Sequence, residues 1–172
     1  MPWLHETALV GESPISGRGL FTNAPLEAGV VVIRLGGRLM STSELDELLR
    51  ASERYIDTLT VFDDVHLVLP FDTPVHYGNH SCDPALWHVG PYEIATRRRV
   101  EADEELTIDY ATHTDAAGFS MPCRCGADGC RGVVTGQDWR RADLQARYAG
   151  HWVPALAARI GAPAPRRDVS PR

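Results

Sequence analysis

The placement of four cysteines constrains this chain more than any other feature. Three lie in the run Cys123-Arg124-Cys125-Gly126-Ala127-Asp128-Gly129-Cys130, the fourth lies in Asn79-His80-Ser81-Cys82-Asp83-Pro84, and none is left over. Four thiolates complete a tetrahedral zinc site with no position open for water, which makes such a site structural. Cys82, Cys123, Cys125 and Cys130 are therefore the expected metal ligands, and the ion would tie the C-terminal third of the chain to a central loop. Two other readings stay open. Disulfides would need an oxidising compartment, yet a Cys-x-Cys bridge is strained and the N-terminus has no secretory signal. Four unrelated buried thiols are the plainer alternative.

At 172 residues, 44% hydrophobic and 23% charged, the chain has the size and composition of one soluble globular domain with a core of its own. No apolar stretch approaches membrane-spanning length, so a cytoplasmic, reducing location with no membrane partner is expected. The net charge of -6 argues against direct nucleic-acid binding and suits a cationic ligand or peptide. All 17 basic residues are arginine. Such a bias follows from GC-rich codon usage and points to a bacterial source.

Short β-strands are expected at 7–10, 20–22, 30–35, 65–69, 87–89, 93–97 and 106–108, separated by Gly and Pro. Residues 41–53 read as a helix with Leu45, Leu48 and Leu49 on one face and a capping box from Ser41 to Glu44. Residues 73–84 and 112–122 read as a loop and a mobile connector. Residues 138–148 and 153–160 read as two helices, with breaks at Gly150 and Pro154. The pattern predicts an α+β, mainly β domain and excludes a Rossmann-type βαβ alternation.

Four segments carry the chemistry in order: Gly17-Arg18-Gly19-Leu20-Phe21-Thr22, Asn79-His80-Ser81-Cys82-Asp83-Pro84, Glu104-Glu105-Leu106-Thr107-Ile108-Asp109-Tyr110, and the cysteine run ending in Arg131-Gly132. Together they resemble the SET-domain protein lysine methyltransferases with a post-SET zinc element, here as a small stand-alone member, over roughly residues 7–134. The resemblance implies a SET (β-clip) fold of short curved sheets with a knot-like threaded active site. It also implies a core at 1–118, a post-SET zinc segment at 119–134, C-terminal helices at 135–161 and a disordered tail at 162–172.

The same resemblance implies S-adenosylmethionine as cofactor. Arg18, Gly19 and Leu20 would offer backbone contacts to its methionine end, and glycine at 17 and 19 allows that approach. Asn79 would bind the polar end, since an amide both donates and accepts, and the main chain of His80 would read the adenine edge. Tyr110 would be the catalytic residue and would also touch the cofactor, aligning an in-line methyl transfer. A lysine amine titrates near ~10.4, so arriving neutral costs about 4 kcal/mol, which a dry channel and a neighbouring sulfonium reduce without a dedicated base.

The chain departs from the family's pattern at Ala85, at Asp103, and at Ile108, where an aromatic residue is common. Trp87 or His88 could fill the space Ile108 leaves, and Tyr55 and Tyr77 could line the lysine channel. Tyr92 and Trp139 read as packing, and Arg97–Arg99 as a solvated strand edge. The expected substrate is a lysine-bearing protein acted on in trans, because this chain contains no lysine of its own. The rival readings are a catalytically inactive SET-fold module that binds a cofactor or peptide, and a zinc-ribbon-like nucleic-acid binder.

Overall fold

The computed structural model describes residues 1–161; the tail expected at 162–172 lies outside the described residues. The strands are β1 (Trp3–Leu4), β2 (Ala8–Glu12), β3 (Arg18–Thr22), β4 (Val31–Arg34), β5 (Arg38–Met40), β6 (Thr58–Phe62), β7 (Val65–Val68), β8 (Leu86–His88), β9 (Glu93–Thr96), β10 (Ser120–Pro122) and β11 (Val133–Thr135). The helices are α1 (Thr42–Ala51), α2 (Ala142–Arg147) and α3 (Pro154–Gly161). The strands form a four-stranded sheet in the order β1-β4-β9-β8, a three-stranded sheet β5-β7-β6, and two hairpins, β2-β3 and β10-β11, all antiparallel. No helix among the described residues is long and apolar enough to cross a membrane.

Helix α1 starts where the capping signal sits. Ser41 Oγ accepts from the Glu44 N–H while Glu44 Oε2 accepts from the Ser41 N–H at 2.8 Å, satisfying two orphan donors reciprocally. The Asp63-Asp64 turn between β6 and β7 supports the same end, because Asp64 Oδ1 accepts from the Thr42 N–H at 2.9 Å. Its φ of 54° lies in the left-handed region that aspartate tolerates in tight turns.

The main core buries Leu20, Val32, Val61, Leu86, Val100 and Leu106 between the sheets. A second, smaller core joins Ala111 to Trp139, Leu144, Tyr148, Trp152, Val153 and Leu156. This second core explains the C-terminal helices: their apolar faces close over the turn that begins at Tyr110. Trp139 packs there, and Tyr92 packs against the main core.

Several elements differ from the sequence reading. Residues 106–108 do not form a sheet strand. They run as extended chain between two partners, with Leu106 N–H donating to Leu20 O at 2.7 Å on one side. On the other side Ile108 N–H donates to Asn79 O, Ser81 N–H donates to Ile108 O, and Ile108 bridges His80 and Leu86 in parallel. The alternation that suggests a strand is present, but each backbone group bonds a different segment. The end of the 112–122 connector is β10, paired with β11 through Met121 and Val134. Strands β5 and β6 were not expected. The 138–148 helix is broken at Arg141 into a short 3-10 turn, Asp138–Arg140, and α2, and Pro154 opens α3 rather than interrupting it.

Candidate active site and metal centre

The extended passage of residues 105–110 brings the four chemistry-bearing segments together. Asn79 Nδ2 donates to Glu105 Oε1 at 2.8 Å, and to the Arg18 and Ser16 carbonyls at 3.0 and 3.2 Å. Glu105 in turn accepts from Ser13 Oγ at 2.9 Å through both oxygens. The Asn79 amide nitrogen is thus engaged within the protein and ties the Gly17–Leu20 turn to the centre.

Two glycines in that turn have separate reasons. Gly17 has φ +51°, closed to most side chains. Gly19 is needed for space: a Cβ there would stand 2.2 Å from Glu105 Oε1. Gly19→Ala is therefore expected to push Glu105 off both Ser13 and Asn79, at about 1–3 kcal/mol of stability. Thermal unfolding read alongside cofactor calorimetry checks this, and weakened cofactor binding should accompany the lost stability.

A cleft of about 270 Å³ is lined by Ile15, Ser16, Asn79, His80, Tyr110 and Met121, with Pro122, Cys123 and Arg124 closing it from the β10 side. Arg18, Gly19 and Leu20 are not among the cleft's lining residues; the Arg18 guanidinium lies over the ring of Tyr77 at 4.9 Å, and its carbonyl is held by Asn79. A second, mostly apolar pocket of about 460 Å³ is lined by Tyr55, Ile108, Tyr110, His113 and Phe119. Tyr110 is common to both. Its hydroxyl donates to Gly78 O at 3.0 Å, and burial, with the nearby charge of Asp57, pushes the phenol well above its ordinary range. The group is a neutral donor whose oxygen lone pairs stay available. Trp87 does not reach this pocket, because it stacks on His151 at 3.4 Å; His88 reaches it only through His113, at 3.1 Å. Tyr77 packs against the main core.

The four cysteine sulfurs lie within 4.8 Å of one another, and Cys82 Sγ is 3.8 Å from Cys123 Sγ. Tetrahedral Zn–S bonds of about 2.3 Å set sulfurs roughly 3.8 Å apart, so the donor set fits the ion in chemistry and spacing. N–H groups face the sulfurs as thiolates require: Arg131 to Cys82 at 3.3 Å, Cys82 to Cys125 and Gly132 to Cys130 at 3.4 Å each. Burial works against the Cys125 thiolate, but the N–H groups of Cys82 and Ala127 outweigh it and take its pKa to about 6. Burial pushes Cys82 and Cys123 up. A divalent cation held by the four sulfurs would remove that conflict by favouring thiolates.

The cysteine cluster and the tyrosine are linked by two routes. Burial lowers His80 to about 4, so its ring is neutral at pH 7. Nδ1 accepts from the Tyr110 N–H at 3.2 Å, which places the ring proton on Nε2, 3.4 Å from Cys82 Sγ. The His80 side chain therefore joins Cys82 of the cysteine cluster to the backbone of Tyr110. The second route is Arg131, whose guanidinium holds both oxygens of Asp109 at 2.7 Å. Asp109 is fully buried, accepts from Tyr148 Oη at 3.0 Å, and caps the turn carrying Tyr110 through the Ala111 N–H. Arg131 Nε also lies 3.1 Å from Asp138 Oδ2, a Coulomb contact without hydrogen-bond alignment.

Asp109, Arg131, Tyr148 and Glu105 were missed in the sequence. Asp109, Glu105 and Arg131 stand inside the quoted segments, and an acid beside the tyrosine with an arginine beside the last cysteine is the signal that could have found that pair. The Arg97–Arg99 run offers no cationic patch, because each guanidinium pairs with a carboxylate: Asp83, Glu104, and Glu27 with Glu101.

Comparison with known proteins gives a consistent result. The chain is 32% identical over 144 residues to human "Histone-lysine N-methyltransferase 2B", and 27% identical over 163 residues to Drosophila melanogaster "Histone-lysine N-methyltransferase ash1". These alignments cover 73% and 84% of this chain but only 5% and 7% of those proteins. The methyltransferase domain of human histone-lysine N-methyltransferase SETMAR superposes with a TM-score of 0.61 at 21% identity, over 76% of this chain and 57% of that one, which shows a shared fold. The SET-domain model matches residues 17–111, more than half of the chain and the whole span from the Gly17 turn to the Tyr110 turn, so the chain belongs to the SET-domain family.

Proposed function

We propose that this chain transfers methyl groups from S-adenosylmethionine to lysine side chains of another protein, in a reducing compartment, with a structural zinc on Cys82, Cys123, Cys125 and Cys130. The observation that carries the reading is that the cleft holding Ser16 and Asn79 and the mostly apolar pocket share one lining residue, Tyr110. An in-line displacement needs donor and acceptor on either side of a single point, and alignment there is most of the catalytic work. The names of the aligned relatives support the same substrate class.

S-adenosylmethionine, when bound, supplies a methyl group on a sulfonium. The residues that would hold it are Ser16, Asn79, the backbone at His80, and Met121 to Arg124. Tyr110 donates its O–H to Gly78 O, so its oxygen can accept an amine N–H and turn the nitrogen lone pair toward the cleft. Ile108, Phe119 and the His113 ring exclude water around that amine. Burial takes His113 down to about 4, against the opposing pull of Asp57 and Asp109, so it adds no positive charge beside the substrate at neutral pH.

Tyr110→Phe is expected to lower kcat on the order of 10²-fold, as for loss of one aligned polar group, while cofactor affinity stays near wild type. Calorimetry of S-adenosylmethionine on zinc-loaded protein, with Asn79→Ala alongside, tests the cofactor half of the reading. Saturable binding that Asn79→Ala weakens is the expected result, and no binding by folded, zinc-replete protein would overturn it.

A further inference from the structure

The amine pocket is apolar except for a few groups, and its one carboxylate among the described lining residues is Asp57. Asp57 immediately precedes β6, and its carbonyl accepts from the Leu69 N–H at 3.0 Å, which pins the residue to the end of β7. Its side chain is fixed as well. Oδ2 lies 2.8 Å from His76 Nδ1, and the other nitrogen of that ring, Nε2, lies 2.6 Å from Pro70 O. Both partners are acceptors, so the ring holds them by donating and cannot turn; Asp57 Oδ2 is paired with His76, and Oδ1 is the oxygen left for a ligand.

The position of Asp57 within the pocket follows from exposure and the shared lining. Tyr55, two residues earlier, is 85% exposed and marks the rim, whereas the Asp57 side chain is 29% exposed. Asp57 lines the same pocket as Tyr55, Tyr110 and His113, so the carboxylate shares the cavity of the tyrosine and is more sheltered than the rim. A lysine side chain arrives as an ammonium with three N–H donors, and each needs an acceptor once water is shed. The Tyr110 oxygen and the remaining lone pair of Gly78 O offer two acceptors, so three N–H donors call for a further one.

We propose that Asp57, held in place by His76, is the ammonium-binding residue of the amine pocket and selects a cationic amine before transfer. The inference rests on the lysine-methylation reading above. A carboxylate beside the amine favours its charged form, whereas transfer needs the neutral one. Asp57 therefore serves capture rather than chemistry, and its loss falls on KM.

The test is steady-state methylation of core histones by zinc-loaded protein, for wild type, Asp57→Asn, Asp57→Glu and Asp63→Asn. Asp63 is the charge control, with a side chain 99% exposed on the β6–β7 turn. Loss of a charge-assisted hydrogen bond should raise the KM for histone about tenfold in Asp57→Asn, with kcat and cofactor affinity near wild type. Asp57→Glu keeps the charge and should fall between, and Asp63→Asn should match wild type. An unchanged KM in Asp57→Asn, an equal rise in Asp63→Asn, or a larger rise in Asp57→Glu than in Asp57→Asn would overturn the proposal alone. A wild-type protein that methylates no lysine would overturn the functional reading and this proposal with it.

Discussion

Stripping the metal from the four-cysteine centre is expected to abolish methyl transfer and to weaken cofactor binding by about 100-fold or more. The local structure explains the size of the effect. The segment carrying Cys123, Cys125 and Cys130 is the connection of a two-stranded hairpin, β10-β11, and such a hairpin is marginal on its own. The clustered sulfurs join that connection to the Cys82 loop, beside the Arg131 grip on Asp109. Pro122, Cys123 and Arg124 also form one wall of the cofactor cleft, so a loosened hairpin opens that cleft to water. Metal analysis should give one zinc per chain. Chelation followed by calorimetry should show lost S-adenosylmethionine binding that zinc restores, and Cys123→Ser should behave like the stripped protein. Full cofactor affinity in a metal-free sample would contradict this account.

Arg131→Leu is expected to cost about 3–5 kcal/mol, because it leaves the Asp109 carboxylate buried without its partner. That is a large part of the 5–15 kcal/mol typical of a whole domain. Asp109 would retain only Tyr148 Oη and the Ala111 N–H. The turn it caps carries Tyr110, so activity should fall together with stability. Arg131→Lys keeps the charge but loses the two-pronged grip and should lie between. Urea unfolding of both variants and of Asp109→Asn checks this, with the double variant Arg131→Leu/Asp109→Asn less destabilised than the sum.

The same pair predicts a pH dependence. Burial alone would raise the Asp109 carboxyl, but Arg131's hydrogen bonds and charge outweigh it and hold the carboxyl below its usual range. A depressed folded pKa gives stability that is present above the ordinary carboxylate value and lost as pH falls through the lower folded one. The Asp109 contribution should therefore be constant above about pH 4 and disappear below it. Arg131→Leu should lack this acid-side loss.

Residues whose chemistry is local were readable from sequence. The Ser41–Glu44 capping box is complete within four residues, and the cysteine spacing alone points to a tetrahedral ion. What could not be read is pairing across the chain. Residues 106–108 look like a strand because their backbone is extended, but sequence does not say that Leu20 and Asn79 take the two sides. Gly19 suggests a special torsion, whereas the constraint is the Glu105 carboxylate 86 positions away. Asn79 was expected to hold a ligand with its amide, yet its nitrogen is spent on Ser16, Arg18 and Glu105. Arg131 and Asp109 each look like ordinary charged residues until the β10-β11 hairpin folds back and buries them together.

The central claim is methyl transfer to lysine at Tyr110, and intact-mass and peptide mass spectrometry of core histones test it most directly. Zinc-loaded wild-type protein with S-adenosylmethionine should add methyl groups to histone lysines, Tyr110→Phe should add far fewer, and no lysine-linked label can arise on these 172 residues, which contain no lysine. A folded, zinc-replete, cofactor-binding protein that leaves every lysine unmodified, or a Tyr110→Phe variant that labels histones as fast as wild type, would contradict the account.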